Sequence, residues 1–173
     1  LKVIAQTMEM YMQLELGNHL VCKDSCQFLN TKLANLVKNL LSSGRGTFAH
    51  TPHEFDYYTD DKVNLLLRKG VYPYDYMSDA AKLKDTALPP QEAFYNRLEQ
   101  KVCSAEDYEH AQRVWKEFNC AEFGDYHDLY LKCDVLQLAD VFEAFRTMCM
   151  EEYKLDPAHY VSAPHLSWDA MLR

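Results

Sequence analysis

The segment from Gly124 or Asp125 to about Tyr153 constrains the fold most. Its apolar residues Leu131, Val135, Leu138, Phe142, Phe145 and Cys149 recur at steps of 4, 3, 4, 3 and 4. That spacing keeps them on one stripe of a helix, so a single long helix with this stripe buried is expected. Ser104 is placed to cap a preceding helix over Ala105 to Phe118. Ser162-Ala163-Pro164 opens a last helix that runs to Arg173. Nearer the start, Leu29, Leu33, Leu36, Val37 and Leu40 mark a helical face from Phe28 that stops before Ser42-Ser43-Gly44. A short helix follows from about Thr59 to Arg68 and ends at Lys69-Gly70.

Ahead of Phe28 the pattern is that of strands, at Lys2 to Gln6, Tyr11 to Leu16 and His19 to Lys23. Gly17-Asn18 forms a two-residue hairpin loop between the last two. Gly44 to Phe55 reads as an irregular loop, and the stretch from Tyr72 to Pro89-Pro90 as an aromatic, proline-marked excursion over the core. Together these elements predict an α+β fold, with short antiparallel strands followed mainly by helices.

The 173 residues are 48% apolar and 25% charged, with 12 Tyr and 8 Phe against 5 Gly. Such a chain folds rather than remaining disordered, and its length suits one domain. Residues 1–70 carry 8 Lys/Arg and 7 Asp/Glu, whereas residues 71–173 carry 10 and 19. An acidic second part makes a poor stand-alone duplex binder, because nucleic-acid affinity comes largely from cations set against phosphates. The six cysteines show no CxxC pair, which argues for free thiols in a reducing compartment rather than a disulfide framework. No apolar run approaches the roughly 18 residues of a membrane span. Leu1-Lys2-Val3 resembles neither an initiator methionine nor a signal peptide, so the chain is expected to be part of something longer.

Tyr130 and Asp134 stand one turn apart on the long helix and can converge on one ligand. Asp134 falls about 60° from the middle of the apolar stripe, which makes it half-buried. A carboxylate there needs a partner, for which a metal ion is one adequate choice and an ordinary hydrogen-bond donor is the commoner one. His50 and His53 lack the companions that a four-ligand zinc site needs.

The wording around this pair carries a resemblance. Gly124-Asp125-Tyr126-His127-Asp128-Leu129-Tyr130-Leu131-Lys132-Cys133-Asp134-Val135-Leu136-Gln137-Leu138-Ala139-Asp140-Val141-Phe142-Glu143 resembles the third exonuclease motif region of family B DNA polymerases of the viral, organellar-plasmid and Maverick/Polinton-transposon group. Leu88 to Tyr95, and Tyr160 to Leu172 downstream, also look like these relatives.

The resemblance implies a partial ribonuclease-H-like exonuclease domain over residues 1–155, with an insertion at about 70–103. Residues 156–173 would start the connection toward a polymerase domain. The implied activity of the parent is DNA-directed DNA synthesis with 3′-to-5′ proofreading, and the implied cofactor is Mg²⁺ or Mn²⁺. Asp134 would be a metal-ligand carboxylate and Tyr130 a water-orienting tyrosine. Arg45, between Gly44 and Gly46, would stand for the catalytic lysine that steadies the scissile phosphate, although a solvated loop arginine is the plainer reading.

Ser25 and Cys26 fall where the family has a Ser/Thr-Leu motif that holds the single-stranded primer end, with Cys26 in place of leucine. Asp24 or Ser25 could equally cap the next helix. Phe48 is a candidate for stacking on a base, against the commoner use of such a ring in a core. Implied partners are a single-stranded 3′ primer end, the remaining exonuclease and polymerase segments, and a terminal priming protein in protein-primed members. An intracellular site follows, nuclear for a transposon-encoded enzyme.

On the resemblance, Leu1 to Gln6 is similar to the strand just after the second exonuclease motif, so the family's first-motif DxE pair and second-motif Asn with its following Asp, which supply the other carboxylates, are expected before Leu1. Two-metal hydrolysis needs several anionic ligands, so this piece alone is expected to be inactive. The alternative is a decayed transposon remnant that serves only as a helical interaction domain.

Overall fold

The computed structural model describes residues 1–7, 10–98 and 100–173. It is α+β, with a three-stranded antiparallel sheet ordered β1-β2-β3 and a series of helices. The strands are β1 (Lys2–Ala5), β2 (Tyr11–Leu16) and β3 (Leu20–Lys23). The helices are α1 (Leu33–Ser42), α2 (His50–Glu54), α3 (Asp60–Leu66), α4 (Ala105–Glu117), α5 (Phe123–Glu152) and α6 (Ala163–Met171). Among the described residues no helix is long and apolar enough to cross a membrane. All six cysteines are free.

The chain divides into two compact units, Leu1–Leu36 with Val141–Arg173, and Val37–Asp140. In the first, β2 pairs with β3 from Gln13↔Lys23 to Leu16↔Leu20. That register leaves three residues in the hairpin loop, Gly17 to His19, rather than two. Gly17 opens it at φ 64, a conformation glycine takes without steric cost. Lys23 Nζ donates to the carbonyls of Ala158 (2.5 Å) and Tyr160 (2.8 Å), tying the sheet to the segment before α6.

Phe28 packs on Phe142 and Phe145, and Cys149, Leu155, Tyr160 and Leu166 complete this core. Arg146 forks onto Asp156 through Nε (2.9 Å) and Nη2 (2.6 Å), and this contact holds the Asp156 carboxyl down to about 2. The helical face from Phe28 begins later than its apolar spacing suggests. Residues Ser25–Gln27 form a 3-10 turn, and α1 starts at Leu33 with Val37 buried on the expected face.

The second unit has two apolar clusters. Phe94, Ala111, Val114, Phe123 and Tyr126 form one, with Tyr76, Leu83 and Leu88 of the irregular 71–103 stretch packed against it. Phe55, Val63, Leu66 and Cys133 form the other. Ser104 caps α4 by accepting from Asp107 N at 3.1 Å. Asp125 accepts from Ala121 N and Glu122 N just before α5, where a negative charge suits a helix start.

The upper part of the expected stripe on α5 is not buried. Leu131 is 52% exposed, Val135 59% and Leu138 37%, whereas Gln137 is 0% and Asp140 1% exposed. The face turned inward carries Tyr126, Cys133, Gln137 and Asp140. It prevails because the Tyr126 ring buries a large area there, the Asp140 carboxylate is fully hydrogen-bonded, and the Gln137 amide nitrogen finds two carbonyls. Lower down the expectation holds, with Phe142 and Phe145 half-buried and Cys149 buried.

Asp140 also explains why Gly44 to Phe55 is not simply a loop. Its carboxylate accepts from Ala49 N (2.9 Å), His50 N (2.6 Å), Thr51 N (3.0 Å) and Thr51 Oγ1 (2.6 Å). A buried anion thereby caps α2 from ninety residues away, satisfying the amides that a helix start leaves unpaired. Asp140→Ala is expected to lower stability by about 3 kcal/mol, since several buried donors lose their acceptor together. Hydrogen exchange at Ala49 to Thr51 should accelerate with it; a thermal unfolding midpoint equal to wild type would contradict this assignment.

Candidate functional site

The i, i+4 spacing of Tyr130 and Asp134 does bring both side chains to one point, and the group they meet is the ammonium of Lys69. Lys69 Nζ donates to Asp134 Oδ1 in a short, partly buried ion pair and to Tyr130 OH at 3.1 Å. The same ammonium lies 5.3 Å from the centre of the Tyr130 ring. Tyr74 OH bonds to Tyr130 OH at 2.7 Å, so a phenol, a second phenol, an ammonium and a carboxylate share one cluster.

Local structure places each of these groups. Lys69 lies three residues past Leu66, the last residue of α3. Arg68 turns the other way, to Asp107 at 2.6 Å on α4. Gly70 then lets the chain run against Tyr130, since a Cβ on it would sit 3.2 Å from Tyr130 Cδ2. Val71 O accepts from Tyr126 OH at 2.7 Å, one turn before Tyr130. The Tyr72 ring lies 4.8 Å from that of Tyr130, and Tyr72 OH meets His127 Nδ1 at 2.7 Å. Burial raises the Tyr130 phenol above its ordinary range and pushes Tyr72 up to about 12, so both stay protonated near neutrality.

The other sequence candidates lie elsewhere. Arg45 pairs with Asp60 at 2.7 Å, so the cation at Tyr130 and Asp134 is Lys69. Phe48 is 5% exposed and belongs to the core, which leaves no ring face to stack on a base. Ser25 and Cys26 lie in the first unit, in the 3-10 turn that Asp24 caps by accepting from Cys26 N at 3.0 Å. Capping is therefore the observed use of Asp24.

The sequence does not mark Lys69, Tyr72 or Tyr74 as site residues. The signal for Lys69 was a lysine set against a glycine where a helix stops, a pattern that reads first as a terminator.

Two divalent ions need more anionic ligands than this cluster holds. Among the described residues no group of three or more His, Cys, Asp or Glu is placed to bind an ion. The described residues therefore do not make a complete two-ion site, and Asp134 offers one carboxylate. Its Oδ2 takes no hydrogen bond from the described residues.

Compared with protein-family models, curated proteins and solved structures, the chain matches none of them.

Tyr130 also lines a cavity of about 20 Å³, together with Arg68, Gly70, His110, Tyr126 and Cys133. Burial, aided by Arg68 and opposed by Asp107, holds the His110 imidazole down to about 4. The unfolded chain takes up this proton near 6.5 and the folded chain only near 4. Stability is therefore complete above 6.5 and falls as pH drops through that window. The loss is expected to be on the order of 2 kcal/mol. Thermal unfolding between pH 7 and 4 should show it in wild type and a flatter profile in His110→Gln; identical profiles would contradict it.

Proposed function

We propose that this chain is part of a family B DNA polymerase, in a ribonuclease-H-like 3′-to-5′ exonuclease domain, and that Lys69, Tyr130 and Asp134 form one corner of its editing site. The convergence of these three side chains carries the reading, together with the motif wording around Tyr130 and Asp134. Lys69, rather than Arg45, takes the place of the phosphate-steadying cation. An ammonium held in place by Asp134 and Tyr130 is suited to donating a hydrogen bond to a phosphodiester oxygen. Tyr130, held between Lys69 and Tyr74, presents a protonated phenol that can orient water or a phosphate oxygen. Asp134 would supply one carboxylate toward Mg²⁺ or Mn²⁺, with the remaining ligands coming from elsewhere in the parent protein.

The parent protein would extend a DNA primer on a template and remove mismatched 3′ ends, binding the frayed single strand. Ser25 and Cys26 remain proposed contacts to that strand. A second reading, a helical interaction domain without catalysis, draws on the exposed line Leu131, Val135 and Leu138.

Full-length parent protein separates the two. Lys69→Ala and Asp134→Ala are each expected to slow divalent-cation-dependent primer degradation by at least about 10²-fold, a loss of the size seen on removing one preorganised charge. Primer extension should stay near wild type. Degradation unchanged in both variants would sink the exonuclease reading and favour the interaction domain.

A further inference from the structure

Gln137 sits one turn beyond Asp134 on the inward face of α5 and is fully buried. Its Nε2 donates to Leu66 O at 2.6 Å and to Arg68 O at 3.0 Å. These carbonyls close the end of α3, where a helix leaves acceptors without intrahelical donors. The next residue is Lys69. A single helix thus grips the segment 66–69 twice, by an amide on the backbone of 66 and 68 and by Asp134 and Tyr130 on the ammonium of 69.

We propose that Gln137 is the positioning residue for Lys69, fixing the backbone from which the ammonium reaches Tyr130 and Asp134. Lysine has a long, flexible stem, so where its head rests depends on how firmly its Cα is held. Nothing in the side chain itself aims it. The neighbouring side chain of Arg68 is already committed to Asp107 on α4. Gln137 therefore links the backbone just before Lys69 to the helix that carries the site, as Tyr126 does at Val71 just after it.

The amide acts through its donors alone, because Oε1 meets no donor among the described residues. A buried acceptor left so costs roughly 1–3 kcal/mol, a penalty that an apolar side chain of the same size avoids. Gln137→Met keeps the volume and removes both donors, which separates packing from positioning.

The inference rests on the exonuclease reading for its functional consequence only, so two readouts are needed. The first is the rate at which an amine-acylating reagent modifies each lysine of the folded chain, followed by mass spectrometry. Lys69 is expected to react at least about fivefold faster in Gln137→Met, the factor that one ordinary hydrogen bond represents. Lys62 and Lys132 should be unchanged. Gln137→Asn, which keeps a buried amide but retracts it by one methylene, serves where the methionine variant does not fold. Unchanged Lys69 reactivity in a folded variant overturns the proposal.

The second readout is the pH profile of primer degradation by the full-length parent. It should shift in Gln137→Met, while a purely structural role would lower the amount of folded enzyme and leave the profile in place. If Lys69 is released and degradation keeps its rate and profile, positioning stands and the exonuclease reading fails.

Discussion

Three polar residues on the inner face of α5 organise the second unit. Asp134, Gln137 and Asp140 stand at intervals of three, and each holds a different piece of chain: the Lys69 ammonium, the carbonyls of Leu66 and Arg68, and the amides of Ala49 to Thr51. Burying a carboxylate or an amide is unfavourable unless its bonds are made. Once made, those bonds dictate which way the helix is turned. They explain why Leu131, Val135 and Leu138 face outward although they are the more apolar line.

The candidate site follows from that rotation. Turning Gln137 and Asp140 inward brings Asp134 and Tyr130 to the edge of the core, half-buried, where a charge retains some water and its interactions are still strengthened. Lys69 arrives from the end of α3, and the missing Cβ of Gly70 lets Tyr130 lie against that backbone. Tyr72 and Tyr74 come from the same strand of irregular chain and complete the aromatic surround. The cluster is therefore assembled by neighbours in sequence on one side, residues 69 to 74, and by two turns of helix on the other.

The sequence made local features legible and left long-range ones hidden. The strands, the Ser104 cap, the length of α5 and the i, i+4 pairing of Tyr130 with Asp134 depend on nearby residues, and each was readable. The α2 turn was not, because the anion that caps it comes from Asp140. The buried face of α5 was not, because apolar periodicity counts side chains and cannot register the partners waiting for Gln137 and Asp140. Arg45 stands between two glycines, as a phosphate-steadying cation would, yet its charge is answered locally by Asp60. Phe48 was ambiguous between stacking and packing, and packing is what its burial shows. Lys69 was visible only as the end of a helix; its role depends on a contact 65 residues away.

The claim at the centre of this account is that Lys69 and Asp134 act as one unit. A double-mutant cycle in the full-length parent, with Lys69→Met, Asp134→Asn and the pair together, tests it through the rate of primer degradation. If the two groups work jointly, the double variant is no slower than the slower single variant, as residues that act as a unit lose their effect together. A double variant slowed by the product of the two single losses would show independent contributions and contradict the account.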